Sequence, residues 1–147
     1  MKKLFAAVAV LVMMGCAVSL FGCNDTNDTS ADVVITESKY VAYVNEIYAN
    51  TGSYLDKTIT LEGIFEKYSD GNYWVYRNGP GCCGTDAMCG FILQGIAPDK
   101  RPHNKDWVQI TGIFKYDSAI RYPYLRVTDF QIKNDARGKE TVSNSVL

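Results

Sequence analysis

Only one histidine, His103, occurs in the 147 residues. No Ser/His/Asp arrangement stands at a recognisable spacing, and no Cys-x-x-Cys pair occurs anywhere. These absences argue against a triad hydrolase, a dithiol oxidoreductase and a zinc knuckle built from paired motifs. A Cys83–His103 hydrolase pair would need an orienting partner and a lowered thiol pKa, and the sequence supplies neither. We therefore expect a protein that is not an enzyme. Concentrated positive charge is missing too, with 15 Lys+Arg against 16 Asp+Glu. Phosphate neutralisation dominates nucleic-acid affinity, so no nucleic-acid partner is expected. Lys100, Arg101 and Lys105 are scattered and read as a solvated loop.

Long apolar runs are confined to the N-terminus. Lys2 and Lys3 precede an uncharged stretch from Leu4 to Val12, too short to span a bilayer comfortably and suited to a secretory signal. "SLFGC", Ser19 to Cys23, resembles the lipobox of bacterial lipoproteins, with Leu20 at −3, Gly22 at −1 and Cys23 as the lipidated residue. "MMGC", ending at Cys16, fits less well, and an uncleaved anchor helix is the alternative. Both place the soluble part outside the cytoplasmic membrane. Removing the signal takes Lys2 and Lys3 with it and leaves 13 positive against 16 negative side chains. We expect a signal over residues 1–22, a lipidated cysteine and polar tether over 23–35, one folded domain over 36–133 and a flexible polar tail over 134–147. About 100 residues is enough for a single core.

One helix is expected between Val33 and Asn50, where Tyr40, Val41, Val44, Ile47 and Tyr48 form a stripe at three- and four-residue spacing. Thr36 or Ser38 suits its start, and Gly52 its C′ position. The period then changes to two. "KTITLEGIFEKY" predicts a first strand, "YWVYR" a second, "CGFILQ" a third, "WVQITGIFKYD" a fourth and "YPYLRVTDFQI" a fifth, with Pro123 at an edge or bulge. Gly63 and Gly112 interrupt two similar strands and mark bends. Five strands bent by central glycines fit a mainly β fold, a small five-stranded OB-like barrel preceded by one α-helix. A β-sandwich or an SH3-like barrel is the alternative.

Between the second and third strands runs "NGPGCCGTDAMCG", Asn78 to Gly90. An exported chain invites a disulfide: Cys89 with Cys82 or Cys83 would close a short loop contributing about 2–3 kcal/mol. Three thiols remain after the signal is removed and Cys23 is lipidated, so one would be left over. Thiolates with a carboxylate also suit a soft or borderline metal ion, zinc first. Pro80, Gly81 and Gly84 permit the turn that brings Cys82, Cys83, Asp86 and Cys89 together, and His103 in the next connection is a further candidate ligand. Tyr73, Trp74, Tyr76, Tyr122 and Tyr124 form a possible ligand face, with core and rim packing as the plainer account.

"CCGTDA", Cys82 to Ala87, resembles the Cys-Cys-x-x-Asp-Ala signature of the YcgQ-like family of bacterial envelope proteins. "YLDKTITLEGIF" and "WVQITGIF" resemble that family's strand patterns, with Asp56 where the family turn has Gly. The resemblance spans Val41 to Ile132 and implies a small β-barrel at the membrane, often associated with a permease. Cys82, Cys83 and Asp86 belong to the signature and Cys89 does not. We expect an extracytoplasmic lipoprotein that binds metal through the Cys-Cys-x-x-Asp loop. Its membrane partner is the lipid anchor, with a permease or another envelope protein as a further partner. The alternative is a non-metal module with a stapled loop and a partner- or glycan-binding face.

Overall fold

The computed structural model describes residues 30–81 and 84–143, with the backbone alone for Gly81 and residues 84–86. The expected signal, lipidated Cys23 and most of the tether lie outside the described residues, as do Cys82, Cys83 and residues 144–147.

The elements are β1 (Val33–Ile35), α1 (Tyr40–Ala49), α2 (Thr51–Tyr54), β2 (Thr58–Lys67), β3 (Tyr73–Gly81), β4 (Gly84–Gln94), β5 (Trp107–Asp117) and β6 (Tyr122–Ile132). The strands run β1-β2-β3-β4-β6-β5, and β5 pairs back onto β2. β2 to β6 thus form a closed five-stranded barrel in which β4 and β6 are the parallel pair. This is the OB-like barrel expected from the sequence. β1 is an addition, parallel to β2 through Val33↔Ile59. The expected helix therefore begins later, after β1 and a 3₁₀ turn at Glu37–Lys39. Neither Thr36 nor Ser38 caps α1 through its side chain, and Gly52 lies inside α2.

Closure depends on β2 serving two neighbours in succession. Thr58 to Ile64 pair with β5, and Ile64 to Lys67 pair with β3. At the crossover a Cβ on Gly63 would stand 2.6 Å from the Tyr76 carbonyl oxygen, so only glycine fits. Gly112 sits at a register shift in the β5–β6 ladder, the bend its position suggested. Pro123 pairs with Tyr116 just before β6 meets β4, where its missing N–H breaks no second ladder.

Alternation puts Ile59, Leu61, Phe65, Val75, Phe91, Val108, Ile110 and Phe114 inside the barrel. α1 lays Tyr40, Val41, Val44 and Ile47 on the same core, all buried, and Tyr48 stacks on Phe91 at 5.4 Å. Burying each large apolar side chain contributes roughly 1.5–3 kcal/mol, more than the helical propensity of ten residues supplies. The helical stripe is a core face.

The segment after β6 is not the free tail expected from its polarity. Val142 is buried, Asn78 N–H donates to the Glu140 carbonyl at 2.8 Å, and Val142 N–H donates to the Asn78 carbonyl at 2.8 Å. A strap from Asn134 to Ser143 therefore starts beside Trp107 at the head of β5 and docks on β3 at Asn78. Its composition hides this, because the docking uses backbone groups and one valine.

Candidate functional site

The expected cysteine loop is largely strand. β3 and β4 stay paired through Arg77↔Cys89, Asn78↔Met88 and Gly79↔Ala87, and after a register shift at Pro80 Gly81 pairs with Gly84. The two residues joining Gly81 to Gly84 are Cys82 and Cys83. Beyond Arg77 and Cys89 the two strands pair with each other, with the strap at Asn78 as a further partner. They form a two-stranded arm on the barrel. Asp86 lies on its β4 side, two residues after Gly84, and its side chain is outside the described residues.

This register separates residues that the sequence grouped together. Gly84 stands five residues before Cys89 on one continuous strand, roughly 17 Å away at about 3.3 Å per residue. Cys89 thus lies at the root of the arm, and Gly84 at its far end. Among the described residues it has no disulfide partner. It packs against the main core, and burial pushes its thiol pKa up to about 11. Without a bound cation such a thiol stays protonated at neutral pH.

His103 is displaced in the other direction. Its backbone N–H donates to Asp106 Oδ2 at 2.8 Å, and its ring is 95% exposed. Its neighbour Asn104 accepts from the Lys67 N–H, and Lys67 pairs with Tyr73 at the start of β3. The arm's tip is at the other end of that nine-residue strand, on the order of 25 Å along it. Among the described residues no group of three or more His, Cys, Asp and Glu stands close enough to hold a metal ion.

The root of the arm is held by a residue that sequence reasoning passed over. Arg77 is buried, with Nε donating to the Glu62 carbonyl at 2.8 Å and Nη1 to Glu37 Oε2 at 3.1 Å and the Lys139 carbonyl at 3.2 Å. Its guanidinium lies between the rings of Tyr40 and Trp107 at 4.9 and 4.7 Å. Barrel, 3₁₀ turn and strap meet at this one side chain. Glu37 also accepts the Lys139 N–H at 2.9 Å, which with Arg77 holds its carboxyl below the usual carboxylate range.

The five aromatics of the expected ligand face divide. Tyr73 turns inward, stacks on Phe65 at 5.5 Å and accepts from Arg101 at 2.9 Å. Trp74 and Tyr76 lie on the other face of β3, and Tyr122 packs edge-on against Trp74 at 6.1 Å. Tyr124 is half-buried further along β6, paired with Ile92. Tyr68 joins the outer row, 6.5 Å from Trp74 and 6.4 Å from Tyr76. Its place at the end of β2 was a signal the sequence carried.

Residues 22–139 match the DUF1980 C-terminal domain. The chain belongs to this family. Comparison with curated proteins and with solved structures gives no match. The DUF1980 match runs through the whole barrel, the arm and the first half of the strap, so the Arg77–Glu37–Lys139 contact lies within the family domain. Within the matched range, Asp56 takes the left-handed conformation (φ 66°) and pairs its carboxylate with Lys115. A turn with that backbone is where glycine is expected.

Proposed function

We propose that this DUF1980 domain is a metal-binding module of the cell envelope. In this reading Cys23 carries a lipid anchor, the domain lies outside the cytoplasmic membrane, and the arm binds a soft or borderline ion, zinc first, through Cys82, Cys83 and Asp86. The protein acts by binding and is not a catalyst. The observation that carries the reading is the pairing of Gly81 with Gly84, which leaves the two cysteines as the connection between the arm's strands. Two thiols and a carboxylate then fall within five residues of one another. That donor set suits zinc, and a metal bound there holds both thiols as thiolates. In this reading Cys89 and His103 stand outside the set, and the arm supplies Cys82, Cys83 and Asp86. A fourth position would be open to water or to a group from a partner, as in zinc sites that exchange ligands. The resemblance to the YcgQ-like family supports a permease or another envelope protein as that partner.

The test is metal content of the full-length protein, purified anaerobically and supplied with zinc. Cys82→Ser/Cys83→Ser should lose the metal, whereas Cys89→Ser and His103→Ala should keep it at full stoichiometry. Full retention in the double variant would sink the reading, and loss in Cys89→Ser would contradict the register.

A further inference from the structure

The end of the barrel where β2 begins is set apart by what it exposes. Asp56 N–H donates to the Phe114 carbonyl and Phe114 N–H to the Lys57 carbonyl, both at 2.9 Å, so the turn before β2 lies beside the β5–β6 hairpin. The hairpin runs on past this point. Thr58 pairs with Ile113, and β5 continues to Asp117, four residues or about 13 Å further. Asp117 Oδ1 accepts the Ala119 N–H at 2.8 Å, which shapes the turn at the tip. Leu55, Tyr116, Ile120 and Tyr122 stand at this end, each more than a third exposed. They are four of the seven large apolar side chains exposed among the described residues, whereas Tyr68 and Ile132 stand at the opposite end. Single exposed apolar residues are ordinary, but four around one projecting hairpin mark a contact surface.

The path of the chain selects what covers it. β1 runs parallel to β2 from Val33↔Ile59, and Asp32 Oδ2 accepts the Thr58 N–H at 2.7 Å. The chain therefore enters the domain at the end that bears the hairpin. Nine residues separate Cys23 from Asp32, a reach of at most about 32 Å. With Cys23 in the bilayer, the projecting tip comes within reach of the lipid surface. Tyrosine suits that interface, with its ring at the acyl boundary and its hydroxyl among the headgroups, and leucine and isoleucine bury below it. Net charge does not draw this end down, because Lys57, Lys115 and Arg121 stand against Asp32, Asp56 and Asp117. The contact is apolar, and the anchor supplies the local concentration that makes a weak contact effective. We propose that the β5–β6 hairpin tip, together with Leu55, docks on the membrane surface in which Cys23 is anchored. This rests on the lipid anchor of the reading above and is independent of its metal. β4 runs parallel to β6, which starts at this same end, so the arm extends from the barrel on the side of the bilayer.

The test uses the full-length lipidated protein on phosphatidylcholine vesicles. Ile120→Cys and Ile132→Cys, each in a Cys82→Ser/Cys83→Ser background, carry a nitrobenzoxadiazole label at opposite ends of the barrel, and any label on Cys89 is measured in the parent and subtracted. Protein mass and flotation with the vesicles report the anchor separately. Quenching by nitroxide-labelled lipid should be several-fold stronger for Ile120→Cys than for Ile132→Cys. Adding Leu55→Asp and Tyr116→Asp should remove about half of that difference or more, with urea unfolding confirming that the variant is folded. Phosphatidylglycerol in the vesicles should change the quenching by less than about twofold, and a many-fold rise would overturn the apolar contact. Equal quenching at both labels in lipidated protein that floats would overturn the docking and leave the anchor standing. Absence of lipid on Cys23 would overturn both.

Discussion

Replacing Arg77 by lysine keeps the charge and most of the length but removes the planar fork. The guanidinium serves the Glu62 carbonyl, the Lys139 carbonyl and Glu37 while its faces cover Tyr40 and Trp107. An ammonium can reach one of these acceptors and cannot stack on both rings. Glu37 is more than a third exposed, so its ion pair contributes little once solvent screening is counted. The remaining loss is one hydrogen bond to a charged donor, about 1.5–3 kcal/mol, and the ring contact, about 0.5–1 kcal/mol. Arg77→Lys should therefore destabilise the fold by about 2–4 kcal/mol. With a urea m value of about 2 kcal/mol/M, the unfolding midpoint falls by roughly 1–2 M. Limited trypsin digestion gives a second reading, because the strap carries Arg137 and Lys139 and should be cut sooner in the variant. A midpoint shift corresponding to less than about 0.5 kcal/mol, with the strap still protected, would refute the view of Arg77 as the clamp at the arm's root.

Other perturbations test the remaining contacts. A methyl on Gly90 would stand 2.0 Å from the Val75 carbonyl oxygen, so Gly90→Ala should cost about 3 kcal/mol or more by urea unfolding, while Gly52→Ala, with open space around it, should be neutral or stabilising by up to about 1 kcal/mol. Asp56→Gly relieves a left-handed backbone and loses an exposed ion pair with Lys115; the melting temperature should stay level or rise, and a fall of several degrees would mean that the pair outweighs the backbone. The Glu37 carboxyl is held low, so its contribution is present above the ordinary carboxylate pKa and lost as pH falls through the lower folded value. Protection of the Lys139 amide from hydrogen exchange, taken relative to the intrinsic rate at each pH, should accordingly fall in acid, and Glu37→Gln should remove that pH dependence. Cys89 has its pKa raised to about 11, so in a Cys82→Ser/Cys83→Ser background its labelling by a thiol reagent should be slow at pH 8 and climb toward pH 11; fast labelling at pH 8 would show that the thiol is not buried.

Much of the barrel was legible because its residues obey simple periods. β5 and β6 match the predicted strands end to end, and the stripe at Tyr40, Val41, Val44 and Ile47 became the buried face of α1. Gly63 and Gly112 marked the bends that close the barrel. The arm was harder to see. Gly79, Pro80, Gly81 and Gly84 carry no alternating pattern, so a run that folds as two paired strands looked like a loop. β1 is three residues long and the strap docks through its backbone, which leaves almost no side-chain signature.

The sequence by itself determined which side chains face inward, because a two-residue or 3.6-residue period is a local property of the backbone. It also set the chemistry available to the arm, by placing two thiols and a carboxylate within five residues. What it could not determine was distance between residues that are near in the chain. Gly84 and Cys89 are five residues apart, which in a loop allows close approach and in an extended strand forbids it. Pairing with β3 decided that choice, just as barrel closure set His103 at the opposite end of β3 and turned Arg77 inward to join three distant parts of the chain.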